Sequence, residues 1–291
     1  MTDHKETGRM SIAYKTILLT LLPEAEVRQS ASPATRLAIE ISRHFEGQLT
    51  IDYLSPQPAW APYSLITSLP GQMMAEQSQQ LADAAEASTK IAETSARDAG
   101  VPVVSKVIAL DFLALVGRAA LRAQLQDIVV IDGGSSTLRD EREIVEALLF
   151  RSGRPVIRVP EGGSAAIPEK ILIAWDGSVP AIRAVREALP LLHAAKSVEI
   201  VTVLGEKNVT DHEPAAKAVH YLAAHGITAT ETTLHAAKRN VAETLRTHAV
   251  ESGADMMVMG TYAHSRMQQA VLGGITTELL HKTPVTLFLA H

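Results

Sequence analysis

The sequence predicts an α/β fold in which two five-stranded parallel sheets follow one another along the chain. Three short aliphatic runs occur in the same order in each half. They are residues 15–22, 127–133 and 154–159 in the first half and residues 170–175, 255–260 and 283–289 in the second. Segments with the period of an amphipathic helix separate these runs. Short strands that alternate with helices are typical of a parallel sheet that right-handed crossovers cover on both faces.

Each half reads as β-α-β-α-β-α-β-α-β. The clearest helices are expected at residues 33–45, 72–99 and 112–124 in the first half, and at 180–192, 213–224 and 241–252 in the second. Gly100 and Gly226 end the second helix of each half, and strands are expected after them at 101–108 and 228–234. The first helix of each half begins near a proline, which fits the first turn of a helix.

The boundary between two domains is expected in a short stretch of glycine, serine and proline that follows the first copy's last strand. The first domain then covers residues 1–161 and the second covers residues 168–291. Because so few residues connect them, we expect the two domains to pack against each other.

Composition narrows the class of protein. The chain has 291 residues, a formal net charge of −5 and no cysteine. A nucleic-acid-binding protein is more often basic on one face, so a nucleic acid partner is not expected, and thiolate metal sites are excluded. The polar start of the chain and the lack of an apolar run of about 18 residues argue against a membrane span. A cytoplasmic location is the expectation.

A candidate binding site lies at the carboxyl ends of the strands, where ligands bind in open α/β sheets at the point where strand order reverses. In the second half, the first strand ends at Asp176 and the fourth ends at Gly260. Gly273 and Gly274 then start the last helix, where backbone N–H groups and the helix dipole favour an anion. Arg266 adds positive charge to the loop between. A plain turn into a helix would use the same glycine pair, so both interpretations stay open at this point.

These residues carry a resemblance to the universal stress protein family over residues 169–291. The features are Ile-Leu-Ile-Ala-Trp-Asp-Gly-Ser at 171–178, Met-Gly-Thr at 259–261, Val-Leu-Gly-Gly at 271–274 and the closing strand at 284–289. The first half resembles the family more faintly, through its strand order and Ser-Gly-Arg-Pro-Val at 152–156. The resemblance implies an adenine-nucleotide α-hydrolase-like fold with strand order 3-2-1-4-5. Family members commonly dimerise through the last strand, which implies a homodimer or pairing of the two domains within one chain.

The resemblance also implies a ligand. Nucleotide-binding members of the family bind ATP with an aspartate after the first strand and a loop patterned G-x2-G-x9-G-[S/T]. Carried over by position, the residues implied for such a site are Asp176 and Val203 at the adenosine, Met259 and Gly260 at the base and ribose, and Gly273, Gly274 and Ile275 at the phosphates.

This sequence departs from the nucleotide-binding pattern at two positions. Ala263 stands where the pattern has its second glycine, and Gly274 stands where it has a serine or threonine. A left-handed backbone at an alanine costs roughly 1–2 kcal/mol, and the loss of a hydroxyl bonded to a phosphate costs roughly 1.5–3 kcal/mol. The hydroxyl of Thr276 and the charge of Arg266 are candidates to compensate. Weak ATP binding by the second domain is therefore expected.

The first half lacks both the aspartate and the later glycine pair, so nucleotide binding is not expected there. No P-loop, nucleophile elbow or metal-ligand cluster is recognised in either half, so no catalytic or metal-binding residues are expected and the protein is not expected to be an enzyme. The expected function is a stress-response protein that binds ATP weakly through its second domain. The alternative is a scaffold of the same fold for dimerisation or partner docking, without a nucleotide.

Overall fold

The computed structural model describes residues 13–24, 28–57, 68–133, 138–205, 214–236, 240–261 and 272–291. The strands are β1 (Thr16–Leu21), β2 (Gln48–Gln57), β3 (Val103–Asp111), β4 (Ile128–Asp132), β5 (Val156–Val159), β6 (Lys170–Ala174), β7 (Ser197–Leu204), β8 (Ala229–His235), β9 (Met256–Gly260) and β10 (Thr286–Ala290). The helices are α1 (Pro33–His44), α2 (Ser68–Asp98), α3 (Phe112–Ala123), α4 (Leu138–Ser152), α5 (Val179–Glu187), α6 (Leu189–Ala194), α7 (Ala215–Ala224), α8 (Val241–Ser252) and α9 (Gly274–Lys282). We call the part with β1–β5 the first half and the part with β6–β10 the second half.

These strands form one ten-stranded sheet in the order β3-β2-β1-β4-β5-β10-β9-β6-β7-β8. Each half has the predicted order 3-2-1-4-5. Across the sheet, the strands of the second half follow in the reverse of this order. Neighbouring strands are parallel except at the junction of β5 and β10. The predicted α/β fold class is confirmed. Strand order reverses between β1 and β4 and between β6 and β9.

The two halves join edge to edge through the antiparallel pair of β5 and β10. Ile157 stands opposite Phe288, and Val156 stands opposite Leu289. All four side chains are fully buried. The pairing covers two strand edges that would otherwise present unpaired backbone groups. The last strands of the two copies therefore pair within a single chain.

Two hydrophobic cores cover the two faces of this sheet. Side chains alternate along a strand, so Ile17 and Leu19 of β1 join one core while Leu18 joins the other. In the same way Ile173 and Leu172 of β6 separate to the two faces. Each core contains residues from both halves. Strands that are aliphatic on both faces are what a sheet buried on both sides requires.

The structure corrects one helix of the sequence analysis. The single helix expected over residues 180–192 is two helices, α5 and α6, with Pro190 in the first turn of α6. Proline lacks an N–H group and its ring clashes with the carbonyl four residues earlier, so a continuous helix breaks before it. The strand expected over 101–108 also lies further along the chain, as β3. None of the helices described has the length and apolar character to cross a membrane.

Candidate functional site

The first strand of the second half ends in a tight turn that leads into α5. The Asp176 carboxylate accepts a hydrogen bond from the backbone N–H of Ser178 at 3.0 Å. Gly177 between them has a φ of 70°, which glycine adopts without strain. Ser178 is the N-cap of α5, and its hydroxyl oxygen accepts the N–H of Ala181 at 3.2 Å. The Asp-Gly-Ser sequence therefore shapes the turn and leaves the Asp176 side chain exposed at the tip of β6.

The alternation of side chains along β6 decides which face of the sheet this carboxylate serves. Trp175 belongs to the core beneath α5, whereas Ala174 packs on the core beneath α8 and α9. Asp176 follows the same alternation and lies on the α8–α9 side, together with Ala174. The carboxylate thus borders a cleft between the strand tips and these two helices.

The tip of β9 is a glycine because another backbone lies against it. A Cβ added at Gly260 would lie 2.4 Å from the backbone nitrogen of Ala181 and 2.5 Å from the carbonyl carbon of Pro180. Any larger residue would push the start of α5 away from β9. Gly260 therefore holds the Asp176 turn and the tip of β9 close together.

Helix α9 begins at the cleft with an uncapped N-terminus. Its N-cap is Gly273, which has an extended backbone and no side chain to accept the first N–H groups. A Cβ added at Gly274 would meet none of the described atoms within 4 Å, so space is open there. Unpaired N–H groups and the positive end of the helix dipole favour an anion at such a position.

One cleft brings these features together. Its volume is about 320 Å³. It is lined by Ala174, Trp175, Asp176, Val201, Val203, Val241, Leu245, Met259, Gly260, Gly273, Gly274, Ile275 and Thr276. All of the candidate site residues that the structure describes are in this lining. Ala263 and Arg266 lie outside the described residues.

Helix α8 supplies a wall that the sequence analysis did not assign. Val241 and Leu245, one turn apart on α8, line the cleft opposite the strand tips. Asn240 caps α8 and its side-chain amide donates to the Glu278 carboxylate on α9 at 2.9 Å. This bond ties the start of α8 to α9. In the sequence, the only local signal for this wall was the amphipathic pattern of α8, which does not show what the helix packs against.

The lining of the cleft combines apolar side chains with polar groups. Val203, Met259 and Leu245 provide aliphatic surface. The Asp176 carboxylate and the backbone N–H groups at the start of α9 provide polar surface. A cleft of this kind suits a molecule with a flat apolar part and an anionic part.

The corresponding crevice of the first half is filled. The strand registers place Leu22 at the position of Asp176 and Leu54 at the position of Val203. Leu22 is 3% exposed and Leu54 is 1% exposed. Phe112 at the start of α3 packs against the same hydrophobic cluster, where α8 has the smaller Val241. Side chains therefore occupy the space that is open in the second half.

The first half instead carries a buried carboxylate on its other face. Asp132 ends β4 at the register position of Gly260, and it is 5% exposed. The hydroxyl of Ser32, the N-cap of α1, donates to Asp132 at 2.8 Å. Burial raises the pKa of Asp132 to about 6, although the Ser32 hydrogen bond acts in the opposite direction. The adjoining cavity measures only about 30 Å³, enough for about one water. No sequence pattern around Asp132 indicates that it is buried or bonded to Ser32.

Among the described residues, no group of three or more histidine, aspartate or glutamate side chains is arranged to hold a metal ion.

Fold and site together define an α/β protein of doubled architecture, with an open cleft at the strand-order reversal of its second half. Residues 168–291 match the model of the universal stress protein family. The second half of this chain is thus a universal stress protein domain. No curated protein matches the chain.

Two solved structures are similar over nearly the whole chain. One is a universal stress protein from Archaeoglobus fulgidus, with a TM-score of 0.62, 14% identity, and coverage of 93% of this chain and 97% of that chain. The other is a protein from Pseudomonas aeruginosa assigned to the universal stress proteins, with a TM-score of 0.57, 13% identity, and coverage of 96% and 93%. At these identities the likeness concerns the fold, and it extends over both halves.

Proposed function

We propose that this protein is a stress-response protein that binds adenine nucleotides, ATP among them, in the cleft of its second half. One observation carries the proposal. The Asp176 carboxylate and the uncapped start of α9 border the same cleft, and aliphatic side chains line that cleft with them. Its volume of about 320 Å³ suits a small organic ligand.

Each part of a nucleotide has a suitable surface in this cleft. The aliphatic side chains of Val203 and Met259 can pack on the adenine ring. The Asp176 carboxylate can accept hydrogen bonds from ribose hydroxyls, because its second oxygen is not needed for the turn to Ser178. The N–H groups that begin α9 at Gly274 can donate to phosphate oxygens.

The proposed binding is weak because one contact to the phosphates is missing. Gly274 has no hydroxyl to offer a phosphate, and a hydrogen bond to a charged group contributes about 1.5–3 kcal/mol, or about ten- to hundredfold in affinity. Thr276 also lines the cleft, but it is only 3% exposed, so its hydroxyl is not a full substitute. The proposal includes no catalytic step.

Calorimetric titration of the full chain with MgATP tests this function. We expect saturable binding, and we expect Asp176→Ala to weaken it by at least about tenfold because a charge-assisted contact is lost. Asp176→Asn separates two roles of the residue: its amide oxygen can still accept the Ser178 N–H, so the turn is kept while the charge is removed. A loss of affinity in this variant identifies a ligand contact rather than a damaged turn.

Asp132→Asn in the first half is the matched control and should leave the affinity unchanged. The absence of heat at millimolar nucleotide would rule the proposal out and favour the alternative, a partner-docking scaffold without a nucleotide. Multiple-turnover phosphate release that is lost in Asp176→Ala would instead identify an enzyme.

A further inference from the structure

Helix α4 of the first half reaches the start of α9 in the second half. The Glu146 carboxylate, on α4, accepts a hydrogen bond from the backbone N–H of Leu272 at 3.0 Å. Leu272 directly precedes Gly273, the N-cap of α9. This bond links residues 126 positions apart in the sequence and joins the two halves at the edge of the candidate cleft.

Glu146 is held in place for this contact. Arg142, one turn earlier on α4, donates to the same carboxylate oxygen at 2.8 Å. Side-chain exposure is 32% for Arg142 and 16% for Glu146, so the pair is partly shielded from water. Leu272 is 4% exposed and its side chain belongs to the core beneath α9. A buried side chain and a hydrogen-bonded amide together fix the backbone just before Gly273.

A second contact from α4 reaches the tip of β9 through His291. The ring of Phe150 packs edge-on against the ring of His291, with centroids 4.7 Å apart. His291 hydrogen-bonds through Nδ1 to the carbonyl oxygen of Thr261 at 2.8 Å, and Thr261 directly follows Gly260 of β9. Helix α4 therefore contacts the chain just before Gly273 and, through His291, just after Gly260. Both glycines border the cleft.

We propose that Glu146 is a positioning residue for the anion-binding start of α9, so that the first half, in which Leu22 and Leu54 fill the equivalent crevice, orients the second half's cleft. The proposal rests on the proposed function for its ligand, which is the phosphate part of an adenine nucleotide. Glu146 does not line the cleft itself. It acts by fixing the Leu272 amide and with it the direction of the N–H groups that follow.

Hydrogen exchange of the full chain without ligand tests the structural half of the proposal. In Glu146→Ala we expect the Leu272 amide to exchange at least about tenfold faster, because its charge-assisted hydrogen bond is lost. Glu146→Gln keeps an acceptor oxygen for the Leu272 N–H but loses the ion pair with Arg142, so an intermediate rate is expected. Glu40→Ala, which removes a similar helix ion pair with Arg43 on α1, should leave the exchange of the Leu272 amide unchanged.

Titration with adenosine and with MgATP tests the functional part of the proposal. Glu146→Ala should lower the affinity for MgATP by about tenfold and leave the affinity for adenosine unchanged, because only the phosphates meet the start of α9. A merely structural role for Glu146 would weaken both or neither.

The two proposals fail in different ways. If the wild-type chain binds neither compound, the nucleotide function is wrong, and the exchange rates still decide whether Glu146 positions α9. Unchanged exchange in Glu146→Ala overturns the inference whether or not ATP binds. Faster exchange with unchanged MgATP affinity overturns it as well, since the positioned N–H groups would then not serve the phosphates.

Discussion

Single residues at equivalent strand tips give the two halves different local chemistry. Gly260 and Asp132 occupy the same position in the strand register. The glycine lets the start of α5 lie directly on β9, whereas the aspartate bonds the N-cap Ser32 at the start of α1. Leu22 and Leu54 likewise fill the crevice that Asp176 and Val203 leave open. Different residues at a few strand tips, within one fold, decide whether this crevice is open or filled.

The buried Asp132 should make stability depend on pH in a defined window. Its pKa is raised to about 6 in the folded state, from an ordinary value of about 3.9 when unfolded. Between these values the folded state holds the proton that the unfolded state has released, so stability falls as pH rises through the window and is constant above it. At about 1.4 kcal/mol per pKa unit, the ionised Asp132 lowers the free energy of unfolding at neutral pH by up to about 3 kcal/mol.

Asp132→Asn removes this ionisation and keeps an oxygen that accepts the Ser32 hydroxyl. We expect the variant to be more stable than the wild type at pH 7.5, by up to about 3 kcal/mol, and the difference to shrink as the pH falls toward 4. Urea unfolding of both proteins across this range measures it. An equal difference at every pH would show that Asp132 does not titrate in the window.

Contacts between elements explain which glycines are structural. The start of α5 leaves no room for a Cβ at Gly260, whereas the described surroundings of Gly274 at the start of α9 are open. Both residues end or begin an element, so the sequence alone gives them equal weight. Only the packing of α5 on β9 separates them.

Gly260→Ala and Gly274→Ala form a matched pair for this contact. Gly260→Ala should lower the free energy of unfolding by about 1–3 kcal/mol, because the new methyl group forces two backbones apart. Gly274→Ala should change it by less than about 0.5 kcal/mol, as expected for an open position. Urea unfolding monitored by circular dichroism compares them, and equal effects would contradict the packing of α5 on β9.

At the scale of the whole molecule, one sheet and two shared cores connect the halves. The β5–β10 pair is antiparallel, and both cores include residues from each half. The hydroxyl of Tyr14 in the first half also donates to the carbonyl of Glu187 in the second at 2.5 Å. The last-strand pairing that the family resemblance implied between domains is made inside this chain.

These connections predict that the two halves unfold together. In a Trp60→Phe variant, the remaining tryptophan, Trp175, reports on the second half, while far-UV circular dichroism reports on the whole chain. We expect both signals to change at the same urea concentration in one transition. Two separated midpoints would show that the halves are independent in stability.

The sequence by itself determined the alternation of strands and helices, the strand order implied by the family resemblance, and the residues at the tips of β6 and β9. Aliphatic runs, helical periodicity and glycines at element ends are local patterns, so they can be read without knowing what packs against them. Pro190 shows the limit even here, because its position broke a helix that periodicity alone predicted as continuous.

Only the tertiary structure decided the antiparallel junction of β5 and β10, the filled crevice of the first half, the raised pKa of Asp132 and the bond from Glu146 to Leu272. Each of these depends on residues far apart in the chain. Burial, pKa and interdomain hydrogen bonds are properties of a packed environment, and that environment exists only after distant segments have come together.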